Sequence, residues 1–462
     1  MNKFNLLKYF HIDEITKVFN EKISKNKSKG IDKKTYKSYQ GIERENLFIE
    51  IFEKIKLKKY KFSPYLELLR IKKRNSYPRM ISIPTVRDKI VLTILKNLLH
   101  NTFPESINIE QPNSYIRKIK LFIKKNKSQN LYFLKTDISQ FYDKIDRKKL
   151  KKKVKSKISD RYFINLLFNS IENPTVPSNY LKKEKEDFIT KKGVPQGLPI
   201  SNILAQIYLY DFDISFVKSI NQETLYLRYV DDILIISRTD CNVYLEKIKE
   251  MLFEIGLKIN NDKTYFGKLE DTVEFLGYEI SDKPISISKR TIENQINKIA
   301  GKITWFKKGL ENPKARPEKY FNDLKGFRLL FLREVNEIIT GSKSEKKNYG
   351  WLFYYIEVDD LSVFHKLDNI ISHMIKKISF FNYKVPKSLK KTAKAYIEIK
   401  HNQDSDYINN YDKFKTLKQK EKLLQDVAQL EDKKVYSDKE IEMLFQHYKN
   451  RNLNNLKEKF EY

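Results

Sequence analysis

The chain has little of what disulfide-rich, zinc-binding and membrane proteins depend on. Cys241 is the only cysteine among 462 residues, and the six histidines show no ligand spacing. Disulfide frameworks and cysteine-rich zinc sites, including those of cysteine-bearing nuclease domains, are therefore excluded. No run of 18 apolar residues occurs, and the N-terminus has no long apolar stretch. The sequence predicts a soluble, cytoplasmic protein without a membrane partner.

Acidic residues are also scarce. The chain has 59 Asp and Glu against 91 Lys and Arg, which gives a formal net charge of +32. A composition rich in lysine, isoleucine and asparagine is typical of AT-rich genomes, but this bias does not explain the deficit of acids. A polyanionic partner does, because lysines that neutralise phosphates release counterions and strengthen binding. The densest basic runs, 117–127 and 148–157, flank a strand that ends at Asp137.

Two adjacent acids interrupt an apolar run at 225–237. The β-prone segments on either side predict a hairpin with Asp231 and Asp232 at its turn. Adjacent carboxylates without a basic neighbour repel each other unless a cation lies between them, and oxygen ligands suit Mg²⁺. Ordinary turn chemistry is the alternative, since Asp favours turns through its own local hydrogen bonds.

A third acid and a glycine-rich loop precede this hairpin. The apolar strand that starts at Leu131 delivers Asp137 where its β pattern ends, and residues 193–202 form a Gly/Pro-rich loop before a helical pattern that begins at Ile203. The glycines allow close approach of the backbone to a ligand, and Ser201 or Asn202 is expected to cap the helix.

In this order the three segments resemble the polymerase core of reverse transcriptases. The strand with Asp137 resembles the first palm motif, 194–197 the second, and Tyr229-Val230-Asp231-Asp232 the Tyr-x-Asp-Asp third. Further segments extend the resemblance over about 25–280: 30–32 resembles the N-terminal extension of group II intron and other bacterial enzymes, 71–88 the fingers, 256–260 with Lys263 the fourth palm motif, and 275–278 the primer-grip hairpin.

The resemblance implies an RNA-directed DNA polymerase that works by two-metal phosphoryl transfer. Two Mg²⁺ ions about 3.5 to 4 Å apart activate the primer hydroxyl and neutralise the leaving oxygen in such a scheme. By resemblance, Asp137 and Asp231 hold the metals, Asp232 completes the cluster, and the carbonyl of Ile138 adds a ligand. Two nearby acids, Asp143 and Asp146, are interpreted as structural or solvated.

The same resemblance assigns residues to the incoming nucleotide. Lys72 and Arg79 lie where the family contacts the triphosphate, although exposed surface charge is the alternative. Tyr142 matches the aromatic position that crowds the sugar 2′ carbon, so deoxynucleotides should be preferred; a core aromatic is the alternative. Gln196 is expected to support the template base or the nucleotide, and Lys263 to protonate the leaving pyrophosphate.

The implied fold is α+β, a right-hand polymerase with fingers, palm and helical thumb, followed by a helical C-terminal extension. We expect fingers and palm at 1–285, the thumb at 286–382 with a charged hinge at 340–347, and the extension at 383–462. Residues 387–462 contain no proline or glycine, which favours long helices, and Ser437 with Glu440 forms a capping box. The extension could pack on its own domain, bind RNA or mediate homo-oligomerisation.

Among reverse transcriptases, the chain most resembles the bacterial defence-associated, abortive-infection type, which works with a noncoding RNA or primes its own synthesis. Its partners would then be an RNA template, deoxynucleoside triphosphates and the DNA product. A group II intron-type maturase that binds structured RNA and a retron enzyme are the alternatives, although the Val-Thr-Gly thumb signature of retrons is not found. RNA-copying RNA polymerases usually have Gly-Asp-Asp and no aromatic gate, whereas this chain has Val230 and Tyr142.

Overall fold

The computed structural model describes residues 6–24, 26–70, 78–402, 404–427, 429–430 and 434–457. Helices and strands mix along the chain and helices dominate its C-terminal region, which confirms the predicted α+β class. Within the described ranges, no helix is both long enough and apolar enough to cross a membrane.

The α-helices are α1 Ile12–Val18, α2 Ile42–Lys56, α3 Val86–Thr102, α4 Pro112–Lys125, α5 Phe141–Lys144, α6 Arg147–Lys155, α7 Arg161–Glu172, α8 Ser201–Lys218, α9 Asn242–Glu254, α10 Lys289–Glu311, α11 Leu324–Thr340, α12 Trp351–Tyr354, α13 Ser362–Lys376, α14 Thr392–His401, α15 Leu417–Asp426 and α16 Asp438–Leu456. The strands are β1 Tyr65–Arg70, β2 Arg79–Ile83, β3 Tyr132–Asp137, β4 Thr175–Val176, β5 Thr224–Tyr229, β6 Asp232–Ser237, β7 Tyr265–Lys268, β8 Val273–Phe275, β9 Tyr278–Ile280, β10 Ser286–Ile287, β11 Ser342–Ser344, β12 Lys347–Tyr349 and β13 Asn409–Asn410.

The chain divides into two compact units, each made of two separate segments. The first unit comprises Met1–Ile109 and Tyr132–Gly267, and the second comprises Glu110–Leu131 and Lys268–Tyr462. The division into fingers and palm, thumb and extension stays a prediction.

A four-stranded sheet with the order β5-β6-β3-β7 organises the first unit. Strand β6 is antiparallel to both of its neighbours, and its residues from Ile233 to Ser237 are buried. A central strand that is covered on both faces favours β-branched side chains, which explains the run of isoleucines. The smaller sheet of this unit has the order β2-β1-β4, and β1 pairs antiparallel with β2.

The predicted cap of α8 is wrong in detail. Ile200 is the N-cap and Ser201 is the first helical residue. The hydroxyl of Ser201 is engaged elsewhere, because it donates a 2.5 Å hydrogen bond to the carbonyl of Pro195 in the preceding loop. Ser201 therefore ties the loop to the helix instead of satisfying the first amides of the helix.

In the second unit, a β-hairpin replaces the charged hinge expected at 340–347. Strands β11 and β12 are antiparallel, and β13 pairs parallel with β11. Glu345 and Lys346 form the turn with φ angles of 53° and 58°, a left-handed conformation that usually selects Gly or Asn. The carboxylate of Asp412 accepts hydrogen bonds from both of their amides, at 2.8 and 3.2 Å. A distant acid thus stabilises a turn that has no local sequence signal.

The C-terminal region is mainly helical, as expected, but α14 and α15 have ten residues each and the short strand β13 lies between them. Ser437 caps α16 through its bond from the amide of Glu440, and the Glu440 carboxylate accepts from the amide of Ser437 at 2.9 Å. The apolar stripe of α16, including Ile441, Phe445 and Tyr448, is buried in a core shared with α15. The stripe therefore packs inside the second unit.

Candidate active site

The β5–β6 hairpin presents two acids at its turn, as the sequence predicts. Tyr229 pairs with Asp232, and Val230 and Asp231 form the two-residue turn between the strands. Val230 has a φ of 58°, which is unfavourable for a β-branched residue. Such a conformation persists only where its surroundings hold it.

Three residues that the sequence reasoning missed support this turn. The Arg228 guanidinium donates a 2.7 Å hydrogen bond to the carbonyl of Val230 and a second, of the same length, to the carboxylate of Asp213 in α8. Tyr226 also donates to Asp213, at 2.7 Å. An arginine inside an otherwise apolar strand, two residues before the turn, is the sequence signal that could have identified this support.

Strand β3 brings the third acid to the same edge of the sheet. In the antiparallel register of β3 and β6, Asp137 lies opposite Asp232. The amide of Ile138 donates to the carbonyl of Asp231 at 2.9 Å, so the backbone joins the two chain segments directly. The structure therefore places the three predicted carboxylates together at the ends of adjacent strands.

Two lysines neutralise this acidic cluster. Lys263 donates a 2.8 Å hydrogen bond to Oδ2 of Asp137, and the amide of Asn260 bonds to the Asp137 carbonyl at 2.7 Å. Lys135 donates to Oδ1 of Asp232, and the side chains of this pair are 13% and 14% exposed. Lys135 was missed by the sequence reasoning. Its signal is its position two residues before Asp137, because side chains two residues apart on a strand share a face.

The predicted magnesium site is compatible with this donor set. Within the described part of the chain, no three Asp, Glu, His or Cys side chains adopt a metal-binding arrangement. Carboxylates of Asp137 and Asp232 are instead bonded to ammonium groups. Three clustered carboxylates suit Mg²⁺ chemically, and the two lysines show that the cluster recruits positive charge.

Burial and mutual repulsion weaken the acidity of these carboxyls. Burial raises the pKa of Asp231, and the charge of Asp137 raises it further. Burial also raises the pKa of Asp232 to about 6, although Lys135 lowers it. Both groups are therefore costly to keep ionised without a compensating cation.

This cost predicts a pH dependence of stability in metal-free buffer. The pKa of Asp232 rises from 3.8 to about 6 on folding, so its ionisation opposes folding by about 3 kcal/mol above that range and not at all below pH 3.8. The unfolding free energy of wild type minus that of Asp232→Asn should therefore fall by about 2.5 kcal/mol between pH 4 and pH 7. Denaturant unfolding with a chelator measures it; a constant difference would contradict the assignment.

Residues predicted to contact the nucleotide surround the cluster. Tyr142 is half-buried, and burial together with the charge of Asp231 raises its pKa. Arg79 begins β2, and its charge lowers the pKa values of Asp231 and Asp143. Lys72 lies outside the described residues. Of the four predicted nucleotide contacts, three therefore come from elements next to the acids: Arg79, Tyr142 and Gln196.

Gln196 has a partner that the sequence reasoning treated as structural or solvated. Its side chain is hydrogen-bonded to Asp143. Burial raises the pKa of the Asp143 carboxyl, and this hydrogen bond partly offsets the rise. The carbonyl of Gln196 accepts from the amide of Ser82 in β2 at 2.7 Å. Asp146 is structural as predicted, because its carboxylate accepts from the amides of Lys148 and Lys149 at the start of α6.

Part of the chain matches the model of a known protein family. Residues 71–280 match the family model described as reverse transcriptase (RNA-dependent DNA polymerase). The matched range includes β3, the loop at 193–197 and the β5–β6 hairpin, which carry the acids and Gln196.

Curated relatives of the chain are distant. The putative COX1/OXI3 intron 1 protein of Saccharomyces cerevisiae is 23% identical over 49% of this chain and 34% of its own length. The uncharacterized 91 kDa protein in cob intron of Schizosaccharomyces pombe is 28% identical over 38% of this chain and 21% of its own length. Protein YkfC of Escherichia coli is 26% identical over 46% of this chain and 66% of its own length. The chain spans about a third of the first of these relatives.

Solved structures similar to the chain include telomerases. Telomerase from Candida albicans, in complex with a TWJ fragment of telomeric RNA, has a TM-score of 0.41 and 15% identity, over 84% of this chain and 66% of the other. Apo telomerase from Candida tropicalis has a TM-score of 0.41 and 16% identity, over 86% of this chain and 66% of the telomerase chain.

Proposed function

We propose that this chain, an RNA-dependent DNA polymerase by its reverse transcriptase domain at residues 71–280, extends a primer with deoxynucleotides on an RNA template. The reaction is an in-line attack of the primer 3′ hydroxyl on the α-phosphate, with pyrophosphate as the leaving group. The clustering of Asp137, Asp231 and Asp232 at joined strand ends carries this proposal.

The proposal assigns the acids to metal binding. Asp137, Asp231 and Asp232, with the carbonyl of Ile138, would hold two Mg²⁺ ions, which lower the pKa of an attacking hydroxyl and neutralise a leaving oxygen when bound. Lys263 donates a hydrogen bond to Asp137. Once the carboxylates have other partners, its ammonium group is released to donate a proton to the leaving pyrophosphate.

The surrounding residues would bind and select the nucleotide. Arg79, together with Lys72, would contact the triphosphate, because guanidinium and ammonium groups form charge-assisted hydrogen bonds with phosphates. The Tyr142 ring would exclude a 2′ hydroxyl, and Gln196, held by Asp143, would support the base. In this scheme 1–285 acts as fingers and palm, 286–382 as the thumb, and 383–462 as an extension.

Two biological roles are candidates. We propose a bacterial antiviral defence role, with a noncoding RNA template or self-primed synthesis, because the predicted extension at 383–462 follows the polymerase regions. The alternative is a maturase-like role in binding structured intron RNA, which the names of the yeast relatives as intron proteins favour. Phage plaque counts after gene deletion test the first role, and splicing of the intron around the gene tests the second.

Primer extension on an RNA template tests the polymerase activity, and Tyr142→Val tests its sugar selection. The wild-type chain should incorporate deoxynucleotides with Mg²⁺. Removing the ring of Tyr142 should raise ribonucleotide use roughly tenfold to a hundredfold with little change for deoxynucleotides, because only the 2′ hydroxyl needs the released space. The ratio of kcat/KM for matched dNTP and rNTP measures this effect. An unchanged ratio would remove Tyr142 from sugar selection.

A further inference from the structure

Arg147 is a buried cation in a helix whose other basic residues are not buried. Helix α6 has the sequence RKKLKKKVK, and only Arg147, Leu150 and Val154 of this helix are buried. Arg147 is 8% exposed, and burial lowers its pKa. Because burying a charge is costly, a guanidinium at this position calls for a specific set of acceptors.

Those acceptors belong to the loop that leads into the second palm motif. Nε of Arg147 donates to the carbonyl of Gly193 at 2.7 Å, and Nη2 donates to the hydroxyl of Thr190 at 2.8 Å. Nη1 donates to the carbonyl of Thr190. All three acceptors are neutral. The planar guanidinium fork matches this set, whereas a lysine ammonium has no fork geometry.

The same loop is bonded to the segment that carries Tyr142. The amide of Val194 donates to the carbonyl of Tyr142 at 2.8 Å, and the amide of Gly193 donates to the carbonyl of Ile145 at 2.9 Å. Two residues further on, the side chain of Gln196 bonds to Asp143. The loop and the 142–147 segment are therefore joined by several hydrogen bonds, three of which Arg147 donates.

We infer that Arg147 is a positioning residue for nucleotide selection. Its guanidinium fixes the loop at 190–197 against the 142–147 segment, so that the ring of Tyr142 and the amide of Gln196 keep one mutual arrangement. This inference rests on the proposed function, in which those two side chains face the sugar and the base. Arg147 itself contacts neither, and its effect passes through the loop backbone.

Hydrogen exchange measured by mass spectrometry tests whether Arg147 fixes the loop at 190–197, and it does not require polymerase activity. In Arg147→Met, exchange of the amides of Gly193 and Val194 should rise at least about tenfold, because their segment loses three hydrogen bonds. Arg147→Lys should show a similar rise. Arg316→Met is the matched control, since Arg316 also donates to backbone carbonyls, of Gly309 at 2.6 Å and Phe321 at 3.1 Å, in the second unit.

Unchanged exchange at 190–197 in Arg147→Met, or an equal rise there in Arg316→Met, would overturn the inference. If Arg147→Met does not fold, Thr190→Val replaces it, because this change removes only the hydroxyl acceptor. Thr190→Val should then raise exchange at Gly193 and Val194 by a smaller factor, and unchanged exchange in this variant counts against the inference as well.

Steady-state kinetics test the effect on selection. Arg147→Met should lower the ratio of kcat/KM for dNTP over rNTP about tenfold, mainly through a higher kcat/KM for rNTP, because a loosened Tyr142 ring excludes the 2′ hydroxyl less well, while Arg316→Met leaves the ratio unchanged. A faster-exchanging loop with an unchanged ratio would refute the role in selection. A wild-type chain without polymerase activity would refute the proposed function and the selection role with it, whereas the exchange result would still decide whether Arg147 holds the loop.

Discussion

Asp231→Asn is expected to lower nucleotide incorporation at least about a thousandfold, which corresponds to roughly 4 kcal/mol of transition-state stabilisation. The carboxylate of Asp231 lies at the hairpin turn, joined through its backbone to Ile138 after β3. An amide at this position keeps the shape of the side chain but removes the negative charge that the proposed metal site needs. Rate constants for single-nucleotide extension on an RNA template measure this loss.

The fold of this variant should remain intact. Burial and the charge of Asp137 both raise the pKa of Asp231, so the ionised side chain is not a source of stability without metal. A neutral amide relieves that repulsion, and the midpoint of thermal unfolding in chelator should be unchanged or higher. Mg²⁺ should raise this midpoint in the wild-type chain. The rise should be smaller in the variant, because one of the negatively charged carboxylates of the proposed metal site is lost.

Asp211→Asn is the matched control for the loss of one acid. Asp211 lies on α8, its side chain is 72% exposed, and it pairs with Lys153 at 2.6 Å. An exposed ion pair contributes about 0 to 1 kcal/mol, so incorporation should stay within about twofold of wild type. Retained incorporation in Asp231→Asn, or an equal loss in Asp211→Asn, would show that the assigned site is wrong.

The parts of the site that could be predicted from the sequence are those set by local pattern. Alternating and continuous β-prone residues mark β3 and the β5–β6 hairpin, and the acids stand where these patterns stop. The pairing of Asp137 with Asp232 itself is a long-range register. That these acids come together was predicted from the resemblance of the motif order to that of reverse transcriptases, and not from any property of either strand.

The parts that escaped prediction depend on side chains that meet only after folding. Lys135, in a strand, and Arg147, in a lysine-rich helix, look like solvated charges in the sequence. Each is instead bonded to a partner far away in the chain: Lys135 to Asp232, and Arg147 to the loop at 190–193. The turn at Glu345 and Lys346 has the same character, because it depends on Asp412.

Gly193→Ala is expected to lower kcat/KM for deoxynucleotide incorporation by about a hundredfold and the unfolding free energy by several kcal/mol. Gly193 has a φ of 85°, where any side chain is strained by about 1 to 3 kcal/mol. A Cβ would also lie 2.8 Å from the carbonyl oxygen of Asp143 and 2.9 Å from that of Tyr142. Since both of these contacts are with backbone atoms, the loop or the 142–143 segment must shift.

That shift acts on the nucleotide site through the bond between the Val194 amide and the Tyr142 carbonyl. A misplacement of about 1 Å among positioning groups costs on the order of a hundredfold in rate, which is the basis of the expected loss. Gly41→Ala provides the matched control. Gly41 also has a left-handed φ, of 51°, but a Cβ there would meet nothing within 4 Å.

The two variants separate backbone strain from close approach. Gly41→Ala should lose about 1 to 3 kcal/mol of stability through strain alone and keep full incorporation, because no neighbouring element has to move. Denaturant unfolding and primer extension, carried out on both variants, measure the two effects. Equal losses of activity would mean that general destabilisation accounts for both. A Gly193→Ala protein with full activity would show that the loop tolerates displacement from Tyr142, which contradicts the role of this contact in placing the nucleotide.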